Sequence, residues 1–93
     1  MKLRVNKIFI SGSVGANPQV SYTPKGQKIV MFPMWVEEGG FSIDVVFAGR
    51  PVASDLVATI GRRVLVAGAL TKTKTQSRDV LRVKASKILP MEE

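Results

Sequence analysis

Apolar and polar positions alternate with period two over most of this chain. Leu3, Val5, Ile8, Phe9 and Ile10 open a β-prone run that Gly12 and Gly15 interrupt, which predicts a long first strand that bends near its end and so serves two sheets. Asn17-Pro18 begins a turn, Val20 and Tyr22 suggest a short extended piece, and Pro24-Lys25-Gly26 marks a second turn before the β-rich stretch from Lys28 to Val36. Pro33 lacks a backbone donor and demotes part of that stretch to an edge or a bulge. Glu37-Glu38-Gly39-Gly40 is a compact reversal, after which Phe41, Ile43, Val45 and Phe47 alternate with Ser42, Asp44 and Val46 in a half-buried strand.

From Pro51 to Ile60 the spacing changes. Val52, Leu56 and Ile60 recur at helical intervals, Pro51 suits a first helical position and Gly61 suits the stop, so a helix is predicted there. Arg63 to Ala69 returns to strand, Thr71 to Arg78 reads as a polar basic loop or hairpin tip, and Val80 to Ile88 is the last strand. The order β-β-β-α-β-β has no repeat and no linker, so residues 1–93 form one domain. That order predicts an all-β, five-stranded Greek-key barrel of the oligonucleotide-binding type, with one short helix between strands 3 and 4. An SH3-like barrel is the alternative.

Composition narrows the chemistry. In 93 residues there is no cysteine and no histidine, which removes disulfides, thiolate nucleophiles, imidazole bases and nearly all zinc and transition-metal sites. No phosphate-loop or dinucleotide motif occurs, and Asp44 and Asp55 read as solvated or ion-paired carboxylates rather than an acid and a base, so neither catalysis nor a cofactor is expected. Fourteen basic residues against seven acidic ones leave a net charge of +7. Residues 1–30 carry no acid, Glu37, Glu38, Asp44 and Asp55 make the middle acidic, and residues 62–90 are again strongly basic. Such a field suits a polyanion. No run reaches transmembrane length and the start lacks the form of a signal peptide, so a cytoplasmic protein without a membrane partner is expected.

The sharpest local feature is Thr71 to Arg78, where Lys72, Lys74 and Arg78 stand among hydroxyls. In the last strand Arg82 and Lys84 share one parity with Val80 and Ser86, which predicts a cationic face. Solvated filler of a soluble hairpin is the bland reading of the same letters. Non-specific single-strand binding adds base stacking to such charges, and aromatic rings are scarce here. Phe9 and Phe47 read as core, Trp35, Phe41 and Tyr22 sit at turns or strand ends, and Met31 and Met34 read as core or interface filler.

The stretch NKIFISGSVGANPQVSYTPKGQKIVMFPMWV resembles the opening of bacterial single-stranded DNA-binding proteins through Asn6, Gly12, Gly15, Pro18, Val20, Tyr22, Thr23, Gly26 and Val30. FSIDVVFAGRPVASDLVATIGRRVLVAGAL is similar to that family's third strand, helix and fourth strand through Phe41, Val45, Phe47, Gly49, Leu56, Gly61, Val64, Val66, Gly68 and Leu70. The resemblance implies sequence-independent binding of single-stranded DNA in replication, recombination or repair, with dimers formed through the first strand and often tetramers. It also implies that Trp35 is a base-stacking aromatic, that Phe41 opens the third strand as another, and that Phe47 is the residue ahead of the family's glycine. Lys7, Arg62 and Lys72 resemble its basic backbone contacts.

Three departures stand out. EEGG replaces a long basic and aromatic excursion, TKTKTQ lacks an aromatic, and ILPMEE ends the sequence without a glycine-rich linker or an acidic tip for recruiting replication proteins. Fewer stacking platforms imply weaker or more salt-dependent binding. The trimmed form is similar to the primosomal replication protein B group, so a primosomal or scaffold-type interaction module with secondary nucleic-acid binding is the alternative, and RNA is a possible ligand. A homodimer through the first strand hides its edge; a homotetramer needs a further apolar face, for which Val45, Val64 and Val66 are candidates.

Overall fold

The computed structural model describes residues 3–48 and 60–91, and within them the alternation becomes six strands. They are β1 (Ile8–Val14), β2 (Gln19–Tyr22), β3 (Lys28–Val36), β4 (Phe41–Ala48), β5 (Arg63–Thr75) and β6 (Arg78–Pro90). They join one sheet in the order β1-β5-β6-β4-β3-β2, and β1 also pairs with β3. All pairings are antiparallel except β4 with β6, which is parallel.

This corrects the expected five-stranded barrel with a helix. Gln19–Tyr22 is a strand in its own right, paired with β3 from Met31 to Lys28 although all four of its residues are exposed. No helix occurs among the described residues. The interval Pro51–Ile60 expected to form one lies outside them except for Ile60, which is in a turn. Of the two readings of Thr71 to Arg78, the hairpin tip holds and the loop does not. β5 runs on to Thr75, where Gln76 and Ser77 alone make the turn, Gln76 at a φ of 37°. Two strands extend further than their apolar pattern because the ladder from Leu70–Val83 to Thr75–Arg78 needs only backbone partners.

The other turn signals behave as read. Gly26, with a φ of 84°, closes the turn into β3, and Gly39 and Gly40, at 110° and 66°, close the reversal into β4. β1 does serve two neighbours: residues 8–13 pair with β5, while Ser13 and Val14 pair with Trp35 and Met34 of β3. Gly12 lies where the strands cross, and a side chain there would run into the Trp35 carbonyl and the Met34 side chain. Pro33 sits where β3 exchanges β2 for β1. Its carbonyl accepts from Gly15 N at 2.8 Å on the side away from β4, so its missing N–H costs no bond in the β3–β4 ladder.

The strand predicted from Leu3 begins only at Ile8. Ahead of it, Asn6 substitutes a side-chain amide for a backbone pair: Nδ2 donates to Leu70 O at 2.7 Å, and Leu70 N donates to Oδ1 at 2.9 Å.

The inward face carries Val14, Val30, Phe32, Met34, Val36, Val45, Phe47, Val64, Val66, Val83 and Ile88, all buried. Each such side chain contributes about 1.5–3 kcal/mol of transfer free energy. Val45, Val64 and Val66 are fully buried here, so none of them supplies an outward face for a tetramer. Phe9 departs from its core reading: it points outward and is 67% exposed. In β6, Val83 and Ala85 face inward, and a bulge opposite Ala67 and Gly68 leaves Ser86 without a register partner on β5, so that Ile88, three positions on from Ala85, faces inward again.

Candidate nucleic-acid interface

Strand registers determine which candidates share a face. On β3, even positions from Val30 to Val36 are buried, so Ile29, Met31, Pro33 and Trp35 face outward. Across the ladder, Trp35 pairs with Ser42, Pro33 with Asp44 and Met31 with Val46. The parallel pairing of β4 with β6 sets Arg82 beside Asp44 and Lys84 beside Val46, and β5 completes the rows with Thr71 and Ala69. One outer surface therefore carries an indole, a short apolar strip of Met31, Pro33 and Val46, and two cations. Farther along the same face of the β5–β6 ribbon come Val80 beside Thr73 and Arg78 beside Thr75.

Trp35 is 44% exposed, with part of the indole open for stacking. Arg82 is ion-paired rather than hydrogen-bonded: its Nε lies 3.5 Å from Asp44 Oδ2, both side chains being half-buried, and is buried without a hydrogen-bond partner among the described residues. The carboxylate holds the guanidinium against the sheet and offsets part of its charge. Lys84 is exposed beside the half-buried Val46.

Apart from Lys7, which lines a depression with Lys84, the remaining candidates lie elsewhere. Lys72 and Lys74 alternate with the threonines and share the opposite, inward-side face of the ribbon with Leu70, Leu81 and Asp79; Lys72 Nζ is 3.5 Å from Asp79 Oδ2. Phe41 opposes the buried Val36 at the mouth of the core, on the side of the hairpin away from Trp35, and is 43% exposed. Phe47 opposes Val30 inside the core and is 3% exposed, so it offers no ring face to a base. Arg62 precedes Val64 on the inward parity, and its Nε is buried without a hydrogen-bond partner among the described residues. Lys7 reaches outward over Phe9, its Nζ 5.8 Å from the ring centroid.

The register thus brings together Trp35, Arg82, Lys84 and Arg78, and separates them from Phe41, Phe47, Arg62, Lys72 and Lys74. Met31, Pro33 and Val46 form an outward apolar strip outside the candidate set, Met31 having the reading of core or interface filler; the odd parity of residues 29–35, opposite to the buried Phe32 and Met34, is the signal that locates the first two. Among the described residues no group of three or more histidine, cysteine, aspartate or glutamate side chains is arranged to hold a metal ion, and no helix is long and apolar enough to cross a membrane.

No protein-family model and no curated protein sequence matches the chain. Solved structures do. Wild-type single-stranded DNA binding protein from Thermus aquaticus superposes with a TM-score of 0.81 at 22% identity, over 96% of this chain and 41% of that one. The dimeric N-terminal domain of PriB protein from Thermoanaerobacter tencongensis gives a TM-score of 0.76 at 22% identity, over 95% of this chain and 98% of that domain. This chain accordingly spans under half the length of the Thermus protein. At such identity the likeness is one of fold, and the fold is the one these two proteins share.

Proposed function

We propose that this chain binds single-stranded DNA without reading its sequence, as a homo-oligomer acting in cytoplasmic replication, recombination or repair. The observation that carries the proposal is the outer face on which Trp35, Met31 and Pro33 stand in register with Arg82 and Lys84. Unpaired bases lie on the indole and the apolar strip, while the cations neutralise phosphates. A duplex keeps its bases stacked on one another and gains nothing from the indole. The fold shared with a protein named for single-stranded DNA binding supports the same reading.

Trp35 is the only tryptophan, so its emission reports on the face directly. A fluorescent thirty-base oligothymidine, titrated at two salt concentrations, is expected to bind with salt sensitivity and to quench that emission, with oligouridine and matched duplex DNA as controls. Absence of binding at low salt overturns the proposal and turns attention to the scaffold alternative.

A further inference from the structure

A second feature of the outer surface lies at the β6 bulge, across β5 from the N-terminal segment. Gly68, Ala69 and Ala85 are small, and with their neighbours Asn6, Lys7, Lys84 and Ser86 they line an open depression of about 370 Å³. The outward-facing Ala69 fills little space, and Gly68 lets β5 approach the Lys84 carbonyl and the Ala85 backbone, which a side chain there would meet. The bulge is closed by Ser86 Oγ, which donates to Ala67 O at 3.1 Å. The clamp of Asn6 on both backbone groups of Leu70 fixes the chain immediately before Lys7. Two cations from distant parts of the sequence thus line one depression, and among the described residues no carboxylate lines it.

We infer that this depression is a phosphate-binding subsite. Lys7 and Lys84 supply the charge, and Asn6 Nδ2, which uses one hydrogen on Leu70, keeps a second to donate. The inference rests on the single-stranded DNA reading for its ligand, because Lys84 belongs to the same row as Met31 and Val46, two strands and about 10 Å across the sheet from β3. The phosphate is an internal phosphodiester or a 5′-terminal group, and the two are told apart below.

The test uses Ala69→Leu, which fills the depression without changing charge, and Lys84→Gln, with Lys87→Gln as a charge-matched control outside it. Eight-base oligothymidine, with and without a 5′-phosphate, is titrated into each protein while backbone amide resonances and Trp35 emission are followed, circular dichroism having confirmed that each variant folds. The expected result is a shift of the Gly68, Ala69, Ala85 and Ser86 amides in the parent protein. Affinity falls at least fivefold in Ala69→Leu and Lys84→Gln, against less than twofold in Lys87→Gln. A preference for the phosphorylated oligonucleotide that Ala69→Leu abolishes assigns the terminal group, and equal binding of the two assigns the internal one; either supports the subsite. Quenching of Trp35 with those four amides unmoved and Ala69→Leu neutral overturns the subsite while leaving the binding reading intact. If oligothymidine does not bind but inorganic phosphate shifts the four amides, the subsite holds and the binding reading fails. An equal response to hexaglutamate overturns phosphate recognition in favour of an acidic peptide.

Discussion

Two aromatic side chains separate packing from recognition most cleanly. Trp35 and Phe47 lie on paired strands, but parity turns the indole outward and the phenyl ring into the core between Val30 and Val45. Trp35→Ala therefore removes a stacking partner: binding of oligothymidine weakens by about 1–3 kcal/mol. Thermal stability falls as well, because over half of the residue is covered, so affinity is compared at a temperature where the variant is fully folded. Phe47→Leu acts on the fold alone, destabilising it by on the order of 1 kcal/mol through imperfect refilling of its site and leaving the affinity of the folded protein unchanged. Parallel melting curves and titrations on the two variants check this. A large affinity loss in Phe47→Leu at a temperature where it is fully folded would return that ring to the binding face.

At the scale of elements, the β5–β6 ribbon divides its cations between two faces. Arg78 and Lys84 lie on the face continuous with Trp35, while Lys72 and Lys74 lie on the other, beside Leu81 and Asp79. Arg78→Ala with Lys84→Ala and Lys72→Ala with Lys74→Ala each remove two charges, so a difference between the pairs reports position. The first pair is expected to lower the slope of log affinity against log salt by about 0.7 per lost phosphate contact, and the second to change it by less. A larger change from the lysine pair places the nucleic acid on the opposite face. This division was not legible in the letters. Alternation made β3, β4 and the inward valines of β5 plain, and the glycine signals marked where β1 bends and where two turns close, because burial leaves a trace of period two. Val20 and Tyr22 do alternate with Gln19 and Ser21 and so mark a short extended piece, whereas Thr71 to Thr75 carries no apolar trace, and backbone pairing makes it strand. The basic character of residues 72–84 was visible, whereas its partition depends on register, and the β6 bulge shifts parity where Ile88 follows Ala85.

For the whole molecule, the question is what covers the outward side of the first strand. β1 pairs with β3 only at Ser13 and Val14, so among the described residues its edge from Ile8 to Gly12 away from β5 has no strand beside it. On the adjoining outer face, Phe9 pairs with Ala67, Ser11 with Leu65, and Leu65 with Leu89. Phe9 and Leu89 are 67% and 42% exposed, so apolar surface lies next to an open ladder. A second copy approaching about a twofold axis satisfies both at once, pairing β1 with β1 and withdrawing Phe9 from water. It also sets two binding faces on one particle, so that a long strand engaging both gains affinity over a short one through effective concentration rather than new contacts. Light scattering at micromolar protein is expected to give at least twice the chain mass. Phe9→Glu is expected to reduce it to that of one chain with the fold retained, since the side chain contributes nothing to the core. In that variant an eight-base oligothymidine binds as before, while a thirty-base one loses most of its advantage over it. A parent protein that is monomeric under these conditions, or a Phe9→Glu variant whose mass is unchanged, would exclude this edge as the site of self-association.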